Sequence, residues 1–296
     1  MYRRFYGLTR NPFELSPDPY FYFPTPLHNE AFAILNYCVV RRKGFVVVTG
    51  EVGTGKTLLL RCLLDALNQN QIASAFVYNP RLSVCEFLAY VLTDLRLPLA
   101  GRTKGEMLSQ LNNYLLLRSR RGTTAVLVVD EAHLLSWELL EEIRLLTNLE
   151  TSQHKLLQIV LVGQPELDRK IDSDELRQLK QRIAMRCRLE PLGLKDLRGY
   201  IRRRLELAGG KAHGVTIFSN EAIEAIYKFS SGIPRLANTL CENSLISGYG
   251  KQARQITVEI VQETAADLRL TPASGPFIPT SEALDGRKRA VKVLSE

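Results

Sequence analysis

Residues 46–61 read VVVTGEVGTGKTLLLR, and this stretch decides the fold. Its first four residues are β-formers and predict a buried strand, whereas the leucines at its end have the apolar spacing of a helix. Between strand and helix the sequence matches G-x-x-x-x-G-K-[ST] at Gly50, Gly55, Lys56 and Thr57. A strand before this pattern and a helix after it are the context in which it indicates a phosphate-binding loop, or P-loop.

The residue types of the P-loop follow from the chemistry of a nucleoside triphosphate. Consecutive amides wrap the β- and γ-phosphates, glycines permit that close approach, and the next helix points its N-terminal amides at the anion. Lys56 is expected to neutralise phosphate charge, and the Thr57 hydroxyl to bind Mg²⁺. The alternative is a glycine-rich turn before an ordinary helix. The residues predicted to contact the nucleotide are Gly50, Glu51, Val52, Gly53, Thr54, Gly55, Lys56, Thr57 and Leu58.

A second motif, AVLVVDEAH at residues 125–133, is an apolar strand that ends in two carboxylates. Hydrolysis of a triphosphate needs an acid that holds Mg²⁺ and a group that orients water. Asp130 is predicted to bind Mg²⁺ through water, and Glu131 to polarise the attacking water. The alternative is a strand followed by a helix whose N-cap is Asp130.

The same motif contains His133, which completes the letters D-E-A-H. These letters also name a helicase class, whose members need two such domains to grip a strand. This sequence has one P-loop and about half that length. We therefore interpret His133 as incidental.

The chain divides into regions of different periodicity. Short apolar runs at 45–49, 74–78, 125–129, 157–162 and 187–190 alternate with helical stretches, which predicts a three-layer α/β domain over 31–190 with a mainly parallel sheet. After Pro191 only helical periodicity remains, at 194–207, 220–229, 234–248 and 257–268, which predicts a small all-helical domain over 191–270. Residues 271–296 are predicted to be a flexible basic tail.

Bulk composition excludes several protein classes. The 296 residues are 45% hydrophobic and contain no apolar run of the roughly 18 to 20 residues that a membrane span requires. The N-terminus lacks the apolar core of a signal peptide, so a cytoplasmic protein is expected. Five cysteines without a CxxC pair indicate neither a disulfide framework nor a zinc site, and we interpret all five as small apolar residues.

Together, these motifs resemble the AAA+ ATPases, P-loop enzymes with a helical lid domain that use ATP and Mg²⁺. In LLQIVLVGQPEL, residues 156–167, Gln164 fits the family's sensor of the γ-phosphate. In LKQRIAMRCRLEPL, residues 179–192, the resemblance implies an arginine finger at Arg182, with Arg177 and Arg186 as alternatives. In SSGIPRLANTL, residues 230–240, it implies that Arg235 reaches the nucleotide from the lid. Asn79 corresponds to a polar residue that restrains the catalytic glutamate.

The N-terminal leader, FYGLTRNPFELSPDPYFYFPTPLHNEAF at residues 5–32, is similar to that of the ExeA-like ATPases, the general secretion pathway protein A group. Its five prolines predict an extended arm over 1–30, and its aromatic residues need a surface to lie on. By analogy, His28 and the end of the arm form a wall of the adenine pocket. An arm that packs on the core without touching a ligand is the alternative.

The resemblance also implies partners. An arginine finger acts between subunits, so a homo-oligomer is expected, with an envelope-machinery protein of a secretion, pilus or polysaccharide-export apparatus as its partner. Fuller members of the group continue into a membrane span, which this sequence lacks, so contact with the inner membrane is expected to be peripheral. The net charge of +8 leaves an ATP-dependent DNA-binding regulator as the alternative. Its basic clusters, however, are scattered: 41–43, 118–121 and 202–204.

Overall fold

The structure is a computed structural model that describes residues 1–99, 103–209 and 216–272. The chain forms two compact units. The sheet unit comprises Pro26–Glu51 and Leu59–Leu189. The helical unit comprises Met1–Thr25, Val52–Leu58 and the described chain from Glu190 onward, so most of the P-loop belongs to it, whereas Gly50 and Glu51 belong to the sheet unit. Of the predicted tail 271–296, only residues 271 and 272 lie within the described part.

Five parallel strands form one sheet in the order β2-β3-β4-β1-β5. The strands are β1 Phe45–Gly50, β2 Ala73–Val77, β3 Ala125–Val129, β4 Leu157–Gly163 and β5 Met185–Leu189. The described helices are α1 Tyr2–Phe5, α2 Pro26–Val40, α3 Lys56–Gln69, α4 Val84–Asp94, α5 Lys104–Arg120, α6 Trp137–Leu146, α7 Glu166–Ile171, α8 Arg177–Lys180, α9 Leu194–Leu207, α10 Asn220–Ser230, α11 Pro234–Gly250 and α12 Val258–Asp267. The predicted parallel α/β sheet followed by helices is confirmed.

The sheet is buried on both faces, as parallel sheets with helical crossovers are. Val47 and Leu127 point to one face and join a hydrophobic cluster with α4, α5 and α6. Their neighbours Val46 and Val126 point to the opposite face and are also buried. The three central strands β1, β3 and β4 therefore read as continuous apolar runs, whereas the edge strand β5 alternates exposed arginines with less exposed residues. Only their ends differ from prediction, most at β5, which begins two residues earlier than expected.

The N-terminal arm packs on the helices of the helical unit. Four apolar side chains of the arm are buried in the same cluster as residues of α9 to α12: Tyr6, Leu8, Phe13 and Phe21. The buried Arg204 donates from Nη1 to the Pro12 carbonyl at 2.6 Å, and its guanidinium lies over the Phe21 ring at 5.0 Å. The arm is thus part of the hydrophobic core of this unit.

The arm differs from the predicted extended segment over 1–30. Residues Tyr2–Phe5 are helical, and Pro19–Phe21 form one 3₁₀ turn. Helix α2 begins at Pro26, within the predicted arm. The physical reason is positional: the first four residues include no proline, and a proline in the first turn of a helix loses no intrahelical hydrogen bond.

Burial of the arm leads to a stability prediction. Phe13 is 1% exposed and packs edge-on against Phe218, whereas Leu15, two residues later, is 56% exposed. Phe13→Ala is expected to lower the free energy of unfolding by about 3 to 5 kcal/mol, because burial decreases and a cavity is left behind. Leu15→Ala, the matched control, is expected to change it little. Urea denaturation followed by circular dichroism measures both, and equal midpoints for the two variants would contradict a core role for the arm.

The remaining composition-based expectations have mixed outcomes. Among the described residues, no helix is both long and apolar enough to cross a membrane, and no group of three potential metal-ligating acidic, histidine or cysteine side chains occurs. All five cysteines are free. Cys38 and Cys241 are buried like apolar residues, but Cys85 is exposed on α4, so the interpretation of all five as apolar residues is wrong for Cys85.

Candidate functional site at the carboxyl edge of the sheet

The carboxyl ends of β1, β3 and β4 meet at one edge of the sheet because the strands are parallel and adjacent. Asp130 follows β3, and its amide donates to the Val77 carbonyl at the end of β2, at 2.9 Å. Its carboxylate is 6% exposed and accepts from the amide of Glu131 at 2.9 Å. The structure therefore holds a buried carboxylate where the sequence predicts a Mg²⁺ ligand.

The P-loop continues from β1 at this edge and ends where α3 begins, at Lys56. Gly53 and Gly55 have φ angles of +82° and +99°, which glycine adopts without strain. Thr54 and Lys56 are buried. A turn with two left-handed glycines, followed by the N-terminus of a 14-residue helix, presents successive amides to an anion. The loop conformation fits a phosphate group.

Arg235, the predicted lid arginine, lies against the P-loop. Its amide donates to the Gly53 carbonyl at 3.3 Å. A Cβ on Gly53 would lie 2.7 Å from the Cβ of Arg235 and 3.0 Å from Cγ2 of Ile233. Gly53 is therefore required both by its φ angle and by the approach of α11, whose first residue is Pro234. The structure brings the predicted lid arginine and the P-loop together within the helical unit.

Glu131, the predicted catalytic glutamate, has a left-handed backbone with φ of +51° and ψ of +33°. Such a conformation costs a non-glycine residue about 1 to 3 kcal/mol and is one of the strained conformations that cluster at active sites. The side chain is 42% exposed as a whole, but its Oε2 atom is buried and has no hydrogen-bond partner among the described residues. The ring atom Nδ1 of His133 lies 3.4 Å from that oxygen.

His133 also faces the residue that follows β4. The amide of Gln164 lies 3.5 Å from the same Nδ1 atom. Gly163 permits this approach, since a Cβ there would lie 3.1 Å from the backbone nitrogen of His133. The ring therefore lies between Glu131 and Gln164, and the interpretation of His133 as incidental stays a prediction. The sequence places His133 two residues after Glu131, in a turn that passes the end of the neighbouring strand β4.

Comparison with known proteins agrees with this geometry. Residues 40–171 match the AAA domain family. Over 257 residues it is 41% identical to the general secretion pathway protein A of Aeromonas hydrophila, an alignment that covers 86% of this chain and 46% of that protein. The chain thus spans about half the length of this curated relative, and the predicted resemblance to AAA+ ATPases of this group is confirmed.

Solved structures share the fold of this chain. The ORC2 protein of Aeropyrum pernix has a TM-score of 0.64 at 14% identity, over 90% of this chain and 73% of that one. RuvB of Thermotoga maritima, a Holliday junction branch migration motor, has a TM-score of 0.56 at 20% identity, over 83% and 70%. At such identities the likeness concerns the fold alone. The predicted fold, a parallel α/β core followed by a helical region, is confirmed.

The three candidate finger arginines, all in the sheet unit, have different surroundings. Arg182 is exposed and donates from Nη2 to Oδ1 of Asn148 at 3.1 Å. The exposed Arg177 side chain has no hydrogen bond or ion pair with any residue that the structure describes. Arg186 donates from both terminal nitrogens to Asp172, at 3.1 and 3.2 Å. The first two are available to a neighbouring molecule, whereas Arg186 is bound within its own chain.

The pKa of Asp172 reflects burial and its hydrogen bonds with Lys180 and Arg186. Burial raises the pKa of this carboxyl group, but hydrogen bonds from Lys180 and Arg186 outweigh burial and lower the pKa below its usual range. A lowered folded-state pKa means that the pairing stabilises the fold at neutral pH and is lost as the pH falls through that pKa. Asp168, 3.5 Å from Arg186, accepts a hydrogen bond of 2.6 Å from Thr49 on β1. Arg186 therefore belongs to a network that joins β1, α7 and β5.

The surroundings of Asn79 and His28 leave the roles predicted for these two residues untested. Oδ1 of Asn79 accepts from the Arg81 amide at 3.4 Å, and the side chain is exposed; no bond from it to Glu131 occurs in the described chain. His28 is 7% exposed in the first turns of α2, within the sheet unit. Their assignments to restraint of Glu131 and to the adenine pocket stay predictions.

Asp130 and Thr57 carry oxygen donors of the kind that Mg²⁺ prefers. Mg²⁺ in nucleotide sites is held by one or two protein oxygens together with phosphates and waters, and it does not need an all-protein cage. Asp130 supplies one buried carboxylate, and Thr57 supplies a hydroxyl in the first turn of α3. Each side chain is of a type that binds a metal ion accompanying a triphosphate.

Proposed function

We propose that the protein binds and hydrolyses ATP in a Mg²⁺-dependent reaction. One observation carries the proposal: Gly53 and Gly55 have left-handed backbones, and the P-loop that they shape packs against the lid arginine Arg235. The Asp130–Glu131 pair at the carboxyl edge of the sheet supports hydrolysis in addition to binding.

Each residue of the proposed site has one task. P-loop amides and Lys56 bind the phosphates, and Arg235 adds positive charge from the lid. Asp130 and Thr57 would hold Mg²⁺, which when bound withdraws charge from the phosphate oxygens. Glu131 orients the attacking water and accepts its proton, and Gln164 contacts the γ-phosphate.

We further propose that the active form is a homo-oligomer in which Arg182 completes a neighbour's site. The biological role that we propose is to energise or regulate the assembly of a secretion, pilus or polysaccharide-export apparatus from the cytoplasmic side of the inner membrane. This role is supported by the 41% identity to a general secretion pathway protein A, which extends over 86% of the chain and thus beyond the AAA domain.

A pair of glycine substitutions tests the nucleotide site. Gly53→Ala is expected to weaken ATP binding about tenfold or more, because the new Cβ meets Arg235 and the positive φ is strained. Gly105→Ala is the matched control, since its Cβ meets nothing within 4 Å. Affinities for a fluorescent ATP analogue are measured with Mg²⁺ and with excess chelator, and phosphate release is measured in parallel. Equal affinities for the two variants, or hydrolysis that is indifferent to the chelator, would contradict the proposal.

A second candidate function, ATP-dependent DNA binding, is favoured by one observation in the AAA domain. Two basic clusters that are far apart in sequence meet in space: Nη2 of Arg42 donates to the carbonyls of Gly122 and Thr123, at 2.8 and 3.2 Å. Arg41 and Lys43 on one side, and Arg120 on the other, are exposed. A joint surface of this kind suits a phosphate backbone better than the scattered charge that the sequence indicated.

Salt-dependent binding to duplex DNA tests the second candidate. The triple variant Arg41→Ala, Lys43→Ala and Arg120→Ala is expected to lower the slope of log affinity against log salt by about one for each phosphate that is no longer neutralised. The control removes three exposed or half-exposed cations of the helical unit, Arg202, Arg203 and Lys228. Fluorescence anisotropy between about 50 and 200 mM salt gives the slopes. Failure of the wild type to bind duplex DNA, or equal slopes for the two triple variants, would eliminate this surface as a DNA site.

A further inference from the structure

The ring of His133 occupies a position between two groups of the proposed reaction. It lies on the turn Ala132–Leu134, and its side chain is 12% exposed. One atom, Nδ1, faces both neighbours: Oε2 of Glu131 at 3.4 Å and the amide nitrogen of Gln164 at 3.5 Å. Both distances are at the long limit of a hydrogen bond, so a small movement toward one neighbour strengthens that contact and weakens the other.

The two contacts require opposite forms of the ring. Toward the amide of Gln164, Nδ1 must offer its lone pair, whereas toward the carboxylate of Glu131 it must carry a proton. A neutral imidazole has one ring proton, so Nδ1 cannot serve both neighbours at once. In the structure, Oε2 of Glu131 is buried without a hydrogen bond among the described residues. That arrangement corresponds to Nδ1 as the acceptor for Gln164.

The surrounding backbone fixes where the ring can be. Glu131 begins the turn in a left-handed conformation, and Gly163 lies so close to His133 that a Cβ would come within 3.1 Å of its backbone nitrogen. The turn is therefore pressed against the end of β4, immediately before Gln164. A displacement of Gln164 changes its distance to Nδ1 directly, because the ring cannot follow freely.

We propose that His133 is a positioning residue that couples Gln164 to Glu131. When the Gln164 segment moves toward a bound γ-phosphate, Nδ1 loses its donor, and the ring proton passes from Nε2 to Nδ1 by exchange with water. Nδ1–H then donates to Oε2 of Glu131 and fixes the carboxylate in the orientation that accepts a proton from water. This inference rests on the proposed hydrolysis and adds that the carboxylate is set in place only when the γ-phosphate is sensed.

Substitutions that distinguish the two ring nitrogens test the coupling. The amide of asparagine can occupy the position of Nδ1, whereas that of glutamine reaches only the position of Nε2. His133→Ala and His133→Gln are expected to lower kcat about 10- to 100-fold with little change in KM for ATP, because one hydrogen bond to a charged group is removed. His133→Asn is expected to recover most of that rate. Thermal unfolding of all three variants verifies that each is folded.

A spectroscopic measurement makes the test independent of turnover. The chain has four histidines, so the ring nitrogens of His133 can be assigned by comparison with the His133→Gln variant in long-range ¹H–¹⁵N spectra. Adding Mg²⁺ and a non-hydrolysable ATP analogue is expected to move the Nδ1 resonance from the acceptor range to the N–H range in the wild type and not in Glu131→Ala.

The outcomes separate this inference from the proposed function. The role of His133 would be overturned if the Nδ1 resonance did not shift when the analogue is added, or if His133→Asn were as slow as His133→Ala. Either result would leave the proposed hydrolysis intact. An Nδ1 shift that depends on Glu131 in a wild type without ATP turnover would support the contact and refute hydrolysis.

Discussion

Glu131→Gln is expected to lower ATP turnover by about 10²- to 10⁴-fold while ATP remains bound, because glutamine keeps the shape of the side chain but cannot accept a proton from water. The structure supports this assignment. Glu131 has a left-handed backbone and a buried Oε2 atom, and its amide donates to Asp130. Single-turnover phosphate release, with nucleotide affinity measured separately, gives both quantities.

Two further variants sharpen this prediction. Lys56→Ala should instead lower the affinity for ATP, because a buried cation of the P-loop is removed. Glu138→Gln removes an exposed carboxylate in the first turn of α6 and should leave both quantities unchanged. Turnover of Glu131→Gln near the wild-type value would show that another group acts as the base.

Arg182→Ala is expected to lower turnover by about 10³- to 10⁵-fold, with ATP affinity unchanged, if Arg182 acts as a finger. In this role it meets the γ-phosphate held by Lys56 of a neighbouring subunit, so no site is complete in a monomer. Specific activity should therefore rise with protein concentration. Arg203→Ala, which removes an arginine that is 52% exposed on α9, is the control for loss of a surface charge.

The three arginines differ in how many hydrogen bonds each would lose on turning toward a neighbouring subunit. Arg186 is held by two hydrogen bonds to Asp172, so its release would cost part of the network that joins β1 to β5. Arg182 would give up one hydrogen bond to Asn148, and Arg177 none among the described contacts. If Arg182→Ala is fully active, Arg177→Ala becomes the decisive variant. Arg186→Ala is expected to lower stability as well as activity.

Mixing two inactive variants tests action between subunits. A Lys56→Ala chain cannot use its own P-loop but still offers Arg182, so adding it to Arg182→Ala protein should restore part of the turnover. The restored rate should pass through a maximum as the mixing ratio is varied. If light scattering shows that the variants co-assemble and the mixture stays inactive, the finger assignment fails.

Contiguous features of this protein could be predicted from its sequence. The P-loop needs residues 50–57 in one order, and each central strand is a short run of buried residues. The conformation of such segments depends on neighbours along the chain, and the pairing of parallel strands then follows from the helical connections. The buried Asp130 and the approach of Arg235 to Gly53 agree with the motifs that indicated them.

The surface on which the N-terminal arm packs could not be predicted from local sequence patterns. Its prolines and aromatics indicated an irregular segment that needs a surface, and the sequence left open which surface. The choice depends on complementarity between Phe13 or Phe21 and helices about 190 residues later, together with the hydrogen bond from Arg204 to Pro12. No local pattern encodes contacts across such a separation.

By itself, the sequence determined the α/β sheet, the P-loop and the acidic pair at the end of β3, because each is a local pattern of residue types. The tertiary structure alone determined the contacts of side chains whose neighbours are distant in sequence. It brought His133 between Glu131 and Gln164, bound Arg186 to Asp172, and joined two basic clusters through Arg42. A ring nitrogen or a guanidinium acts through atoms within about 3.5 Å, and folding alone determines which atoms those are.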